Sequence, residues 1–213
     1  MTKYQRFIFN DFQVNCYILF DSSYECVIID AAANSHKEIK MIHDFINDNH
    51  LIPKYIMNTH GHLDHVCGNY YLESHYRIPI LMSFDDKYLI EGAISLAEKF
   101  GFVIEQPPMP DKNIKDNDFL KFGDTHFKVI SLPGHTPGSV GFYFPEEGWL
   151  FSGDTIFMES IGRTDLPGGS YDNLISSVTR KIFTLPPETI IFPGHGPDTT
   201  VKDEIKYNPF FSH

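Results

Sequence analysis

Three histidines and a carboxylate fall within the heptapeptide Thr59-His60-Gly61-His62-Leu63-Asp64-His65. Each buried imidazole needs partners for two ring nitrogens, so a packed core has no use for that density of rings. A metal ion satisfies several rings at once. Imidazole and carboxylate together suit zinc, iron or manganese.

Three more residues of the same kinds stand where strand-like runs end. The run 125–132 hands over to Pro133-Gly134-His135-Thr136-Pro137-Gly138, the run 149–152 to Gly153-Asp154-Thr155, and the run 189–192 to Pro193-Gly194-His195-Gly196-Pro197. Side chains mounted on strand ends are rigidly placed, and glycine beside them lets backbone come close. His60, His62, Asp64, His65, His135, Asp154 and His195 are too many for one tetrahedral ion. They suit two divalent ions about 3.5–4 Å apart that share a bridging carboxylate.

This pattern resembles the metallo-β-lactamase superfamily from about Phe7 to Thr200, through the HxHxDH element and three later ligands in the same order. The resemblance implies an α/β fold, a four-layer αββα sandwich of two mixed sheets with helices on the outer faces and two metals between the sheet edges. It implies that His60, His62 and His135 hold metal one, that Asp64, His65 and His195 hold metal two, and that Asp154 bridges. Zinc is the first expectation, with iron or manganese also suited. Two cations lower the pKa of a bound water toward neutrality, so a bridging hydroxide exists at cellular pH. Asp64 is then the catalytic side chain that also steers the hydroxide, and metal one stabilises the substrate oxyanion.

Several branches of that superfamily fit less well. True β-lactamases tend to carry cysteine where Asp154 stands, flavodiiron-type oxidoreductases tend to carry glutamate at the position of His62, and RNA-processing nucleases need a nucleic-acid surface that an acidic chain serves poorly. Pro133–Ser139 and Gly153-Asp154-Thr155 are similar to both the glyoxalase II (hydroxyacylglutathione hydrolase) family and the persulfide dioxygenases. Ile161-Gly162-Arg163-Thr164-Asp165-Leu166-Pro167-Gly168-Gly169 departs from full-length glyoxalase II, where an aromatic pair follows Gly-Arg. That segment and the tail Tyr207-Asn208-Pro209-Phe210 resemble a short bacterial glyoxalase II-like branch, and Gly-Arg-Thr-Asp also occurs in the dioxygenases. Only 18 residues follow His195, so residues 1–213 read as one domain without the extra C-terminal helical domain of full-length glyoxalase II.

The resemblance thus implies hydrolysis of a small-molecule thioester of the hydroxyacylglutathione type. A thiolate leaves easily near neutral pH and needs no dedicated general acid. The alternative is an iron-dependent persulfide dioxygenase using His60, His135 and Asp154, since two histidines and a carboxylate suffice for one iron. A lactonase or other ester hydrolase, and a metal-binding protein without activity, stand behind these. Arg163 is the candidate substrate residue: its guanidinium either clamps a substrate carboxylate or pairs with Asp165.

The elements that must position these residues are legible as periodicities. Residues 4–9, 14–20 and 25–30 read as β-branched and aromatic strands separated by polar turns. Ser35 and Glu38 form a capping box before Ile39, Ile42 and Ile46, with His36, His43 and His50 on a solvated face. A strand at 54–58 leads into the histidine loop, and one helix is predicted from Asp64 or His65 to about Tyr76, its N-terminal dipole aimed at the metal site. A strand follows at 78–82. Ser83-Phe84-Asp85-Asp86 then caps a helix with Leu89, Ala93, Leu96, Ala97 and Phe100 on one face and Gly101 at its end. Residues 105–118 read as a polar surface connection, and the second half as strands 119–122, 125–132, 139–144, 149–152 and 189–192 with a helix at 171–184.

Composition bounds the rest. The chain has 213 residues, 42% apolar and 21% charged, with net charge −11 and pI about 5.3. That balance disfavours nucleic acid and anionic membranes as partners, since both demand a basic face. Cys16, Cys26 and Cys67 cannot all pair internally and read as small buried hydrophobes, Cys67 with a site role open because it lies two residues from His65. With no secretory h-region and no transmembrane run, a cytoplasmic location is expected; oligomeric state is not readable.

Overall fold

Alternation along each strand sorts its side chains into two cores. β1 (Lys3–Phe9), β2 (Val14–Phe20) and β3 (Glu25–Ile29) run antiparallel; β4 (Ile52–Met57), β5 (Ile80–Met82) and β6 (Lys112–Asn113) extend the sheet in parallel. Cys16, Ile18, Cys26, Ile28 and Ile56 enter an outer core with Ile39, Ile42 and Ile46 of helix α1 (His36–Asp48). Their neighbours Tyr17, Leu19, Val27, Ile29 and Met57 enter the core between the sheets. With both faces buried, a slip of one residue would exchange the two sets, so the register is strongly specified.

The computed structural model describes residues 1–101 and 103–211. Its second sheet is built from β7 (Phe119–Phe122), β8 (Thr125–Ser131), β9 (Val140–Phe144) and β10 (Trp149–Gly153); a small hairpin of β11 (Ile156–Phe157) and β12 (Ser160–Ile161) follows. β13 (Ile190–Pro193) lies parallel to β10, and β14 (Thr199–Thr200) closes the edge. Phe127, Phe142, Phe144, Phe151 and Phe192 face the first sheet; Leu132, Leu150 and Ile191 pack with Leu174 and Val178 on the second sheet's other side. The result is the expected αββα sandwich. Each large apolar side chain buried in it contributes roughly 1.5–3 kcal/mol.

The helices depart from the sequence reading in informative ways. The capping box at Ser35 and Glu38 forms as expected. The helix predicted from about residue 64 to 76 is two: α2 (Leu63–Val66) and α3 (Asn69–Tyr76). The interruption comes where Gly68 N–H leaves the helical ladder to donate to Ala31 O at 2.8 Å. A single turn cannot supply the dipole expected of a long helix. After Ser83 a 3-10 turn, Phe84–Asp86, leads into α4 (Lys87–Glu91) and α5 (Ala93–Phe100), with Gly101 in the left-handed conformation at its end. The side chain of Phe100 lies outside the described residues. α6 (Tyr171–Ser177) continues as a π turn, Val178–Ile182, and α7 (Val201–Tyr207) was not anticipated. His36 and His50 are exposed as expected, but His43 is half-buried. Its Nδ1 lies 2.6 Å from Tyr76 Oη and its ring 4.2 Å from that of His75, because α3 docks alongside α1. Among the described residues no helix is long and apolar enough to cross a membrane.

Candidate metal centre

All the loops named from sequence open at one edge of the sandwich. β4 delivers His60 and His62, α2 delivers Asp64 and His65, and β8, β10 and β13 deliver His135, Asp154 and His195. Gly153 pairs with Pro193 across the parallel strands β10 and β13, which sets Asp154 beside His195. The approach is close: a Cβ on Gly194 would lie 2.2 Å from Asp154 Oδ1, so only glycine fits there. The seven side chains form three overlapping groups, His60–His62–His135, His60–His65–Asp154 and Asp64–His65–His195. Within each group the nitrogen or oxygen atoms on offer lie within 4.8 Å of one another.

Hydrogen bonds on the far side of each ring fix which nitrogen faces inward. His65 Nδ1 donates to Asp30 Oδ2 at 3.0 Å, His135 Nδ1 to Arg163 O at 2.8 Å, and His195 Nδ1 to Phe12 O at 2.9 Å. Thr59 Oγ1 donates to Asp30 Oδ2 at 2.7 Å and so accepts from His60 Nδ1 at 3.1 Å. Nε2 of His60, His65, His135 and His195 therefore points into the centre, where His62 presents Nδ1 at 2.8 Å from His135 Nε2.

These residues fit a pair of cations. His60 Nε2 and Asp154 Oδ1 are buried without a hydrogen-bond partner. His65 Nε2 and His195 Nε2 face each other at 3.3 Å. Nitrogens in such contacts repel unless a proton or a metal lies between them.

The electrostatics divide the site. Burial, with the neighbouring rings of His65 and His135, holds His60 neutral, its pKa well below the usual histidine value. Burial and His135 bring His62 down to about 4. Burial also disfavours charge on His195, but hydrogen bonds to the Asp154 and Asp64 carboxylates outweigh it and lift the pKa to about 9. The same balance, burial against Asp154, Asp64 and Asp30, raises His65. Burial would raise Asp154, yet the charges around His65 and His195 hold it well below the usual carboxylate range, and Asp64 is lowered in the same way.

Two buried carboxylates that organise the centre escaped the sequence reading. Asp30 directly follows β3 and also accepts from Thr59 N–H at 2.8 Å. It stands past a strand end as His135, Asp154 and His195 do, a signal that could have found it. Asp86 accepts from Gly61 N–H, Thr136 Oγ1 and Gly138 N–H, and in sequence it reads only as a helix cap. Asn15 was read only as a strand residue. Its amide donates to Pro193 O at 3.0 Å and Gly196 O at 2.9 Å, holding the His195 loop.

Arg163 takes the ion-pair geometry. Its Nε and Nη2 donate to the two oxygens of Asp165 at 2.8 Å each, on the exposed rim of the loop whose carbonyl holds His135. Cys16, Cys26 and Cys67 are buried free thiols; Cys67 Sγ donates to Ala32 O at 3.1 Å and burial pushes its pKa up to about 12, so it offers the centre no thiolate. A concavity of about 460 Å³ bounded by Met158, Ile190, Asp198, Thr200 and Tyr207 contains none of the seven residues. The inward atoms without a hydrogen bond, not that concavity, mark the candidate metal centre.

Known proteins resemble the chain along nearly its whole length. Residues 9–195 match the Metallo-beta-lactamase superfamily. The chain is 37% identical over 203 residues to the hydroxyacylglutathione hydrolase GloC of Haemophilus influenzae, covering 94% of each. A crystal structure of the BLEG-1 B3 metallo-beta-lactamase superposes with TM-score 0.90 at 32% identity over 99% of this chain and 100% of that one. TTHA1623, crystallised in a di-iron-bound form, superposes with TM-score 0.86 at 37% identity over 97% and 99%. The β-lactamase branch set aside on Asp154 thus returns as a comparison at full length. By the match across residues 9–195 and these full-length likenesses, the chain belongs to the metallo-beta-lactamase superfamily.

Proposed function

We propose that His60, His62 and His135 hold one divalent ion, that Asp64, His65 and His195 hold a second, that Asp154 bridges them, and that the chain is a hydrolase of small thioesters of the hydroxyacylglutathione type. The observation that carries this reading is the convergence of inward nitrogens on the partnerless His60 Nε2 and Asp154 Oδ1. The likeness to GloC supports the substrate class. Zinc suits the donor set, and the di-iron form of TTHA1623 makes iron the second metal to test. Bound ions would supply an acidified water and a polarising charge for the scissile carbonyl.

The chain's own residues do the rest. Asp64 is partly exposed, its Oδ2 3.5 Å from His195 Nε2 and 3.6 Å from His65 Nε2. It orients the attacking water. Arg163 has Nε and Nη2 engaged by Asp165, which leaves Nη1 to contact a substrate carboxylate. Its carbonyl meanwhile keeps His135 in its tautomer. Three buried free thiols suit a reducing compartment such as the cytoplasm.

The likeness to BLEG-1 favours a second reading, hydrolysis of a β-lactam amide at the same centre. Protein loaded with zinc or with iron is assayed side by side for thiol release from acyl-glutathiones, for β-lactam opening, and for oxygen uptake with glutathione persulfide. Thiol release at least about a hundredfold faster than the other two reactions is expected. β-lactam opening or oxygen uptake in its place moves the assignment to that reaction.

A further inference from the structure

Asp86 is fully buried and lies outside the three candidate ligand groups, yet it joins the two loops that carry one of them. Its Oδ2 accepts from Gly61 N–H at 2.9 Å and from Thr136 Oγ1 at 2.7 Å; its Oδ1 accepts from Gly138 N–H at 2.7 Å. Gly61 separates His60 from His62, and Thr136 follows His135. The carboxylate therefore ties the loop after β4 to the loop after β8, across the gap between the sheets. Nearer the sheets the same loops share one backbone bond, Val140 N–H to Thr59 O at 2.8 Å.

The fit around the carboxylate is tight on both sides. A Cβ on Gly138 would lie 2.6 Å from Asp86 Cγ, and one on Gly61 3.0 Å from Asp86 Cβ. Burying a carboxylate is costly, and an apolar side chain would hold two loops together at less cost. What a carboxylate adds is direction: three donors from two loops, each within 2.9 Å. Among the described residues no hydrogen bond runs from the Asp86 carboxylate to the Asp64–His65–His195 group. Asp64, His65 and His195 are held instead by Asp30, Asn10 and Phe12.

We propose that Asp86 is a positioning residue for the His60–His62–His135 group, setting the spacing of those rings and hence the affinity of that group alone for its metal. This rests on the two-metal reading above. The experiment uses the full chain and cobalt(II) as the probe, with titrations followed by visible absorption and by metal content. Asp86→Asn keeps the shape but turns an amide N–H₂ toward at least one of the donors. It is placed in a His195→Ala background, which leaves the His60–His62–His135 group whole, and in a His62→Ala background, which leaves the Asp64–His65–His195 group whole.

In the first background cobalt affinity should fall at least about tenfold, the range seen when an outer-shell partner is lost. In the second it should change less than about twofold. An equal loss in both backgrounds, or none in either, overturns the proposal. If the unsubstituted chain binds no cobalt, the two-metal reading fails, and it does so before any Asp86 variant is made. Where Asp86→Asn fails to fold by circular dichroism, Thr136→Val removes one of the three bonds. It must then show the same selective loss at smaller size, and a non-selective effect refutes the assignment.

Discussion

Asp30 and His65 form a buried pair in the centre, with Asp30 Oδ2 3.0 Å from His65 Nδ1 and both side chains at 2% exposure or less. The same oxygen accepts from Thr59 Oγ1, the partner of His60 Nδ1. One carboxylate thus orients rings that between them belong to all three candidate groups. Asp30→Ala leaves three donors buried without an acceptor and should cost about 3 kcal/mol of stability. Urea unfolding of the metal-free variant measures this. A cost below about 0.5 kcal/mol, the scale of an ordinary surface substitution, would show that water replaces the carboxylate freely.

His195 makes the centre sensitive to pH. Its folded pKa is raised to about 9 by the Asp154 and Asp64 carboxylates against the effect of burial, while the unfolded value is about 6.5. A raised histidine contributes stability in full below about 6.5 and loses it as pH climbs through about 9. The metal-free protein should therefore melt at lower temperature near pH 9.5 than near pH 6.5. Metal needs the same lone pair, so affinity should rise across that window with release of protons. Calorimetry in two buffers of different ionisation enthalpy reads the protons directly. Affinity that is flat from pH 6.5 to 9, or a metal-free protein that gains stability over it, contradicts this account.

The layers and the site were not equally legible in the chain. β2, β3, β10 and β13 carry runs of apolar residues whose two faces enter two different cores, and such runs announce buried strands. The candidate metal residues were visible because histidine at that spacing serves little else. Asp30 and Asp86 were hidden because a carboxylate at a strand end or a helix cap is common, and only tertiary contact shows that donors surround it. The break between α2 and α3 was hidden for a similar reason: Gly68 is diverted by Ala31, from a strand end distant in sequence. β11, β12 and β14 have two residues each and too little length for a period to register.

Arg163 separates substrate contact from loop fixing. Its guanidinium is exposed and bidentate to Asp165, and exposed pairs of this kind add little to stability. Arg163→Ala should leave the melting temperature unchanged, because the carbonyl that holds His135 belongs to the backbone. If Nη1 meets a substrate carboxylate, KM for an acidic acyl-thiol should rise about tenfold, the loss of one charged hydrogen bond, with kcat unaltered. A neutral acyl-thiol should show no change. An equal effect on both substrates would place the guanidinium in loop fixing alone.

Phe192 links the core to the chemistry. Its ring stacks on Phe151 at 4.8 Å and 14°, with Tyr17 edge-on to both, in the core between the sheets. It also stands directly before Pro193-Gly194-His195, so the packing that fixes β13 fixes the approach of His195. Phe192→Ala should cost about 4 kcal/mol through lost burial and the cavity left behind. Phe192→Leu should cost distinctly less, since it refills most of that volume. Because β13 leads to a candidate metal residue of only one group, both variants should weaken metal at the Asp64–His65–His195 group more than at His60–His62–His135. Differential scanning calorimetry gives the first quantity and cobalt titration the second. Equal weakening of the two groups would mean that the core supports the centre as a whole, rather than through the strand that bears His195.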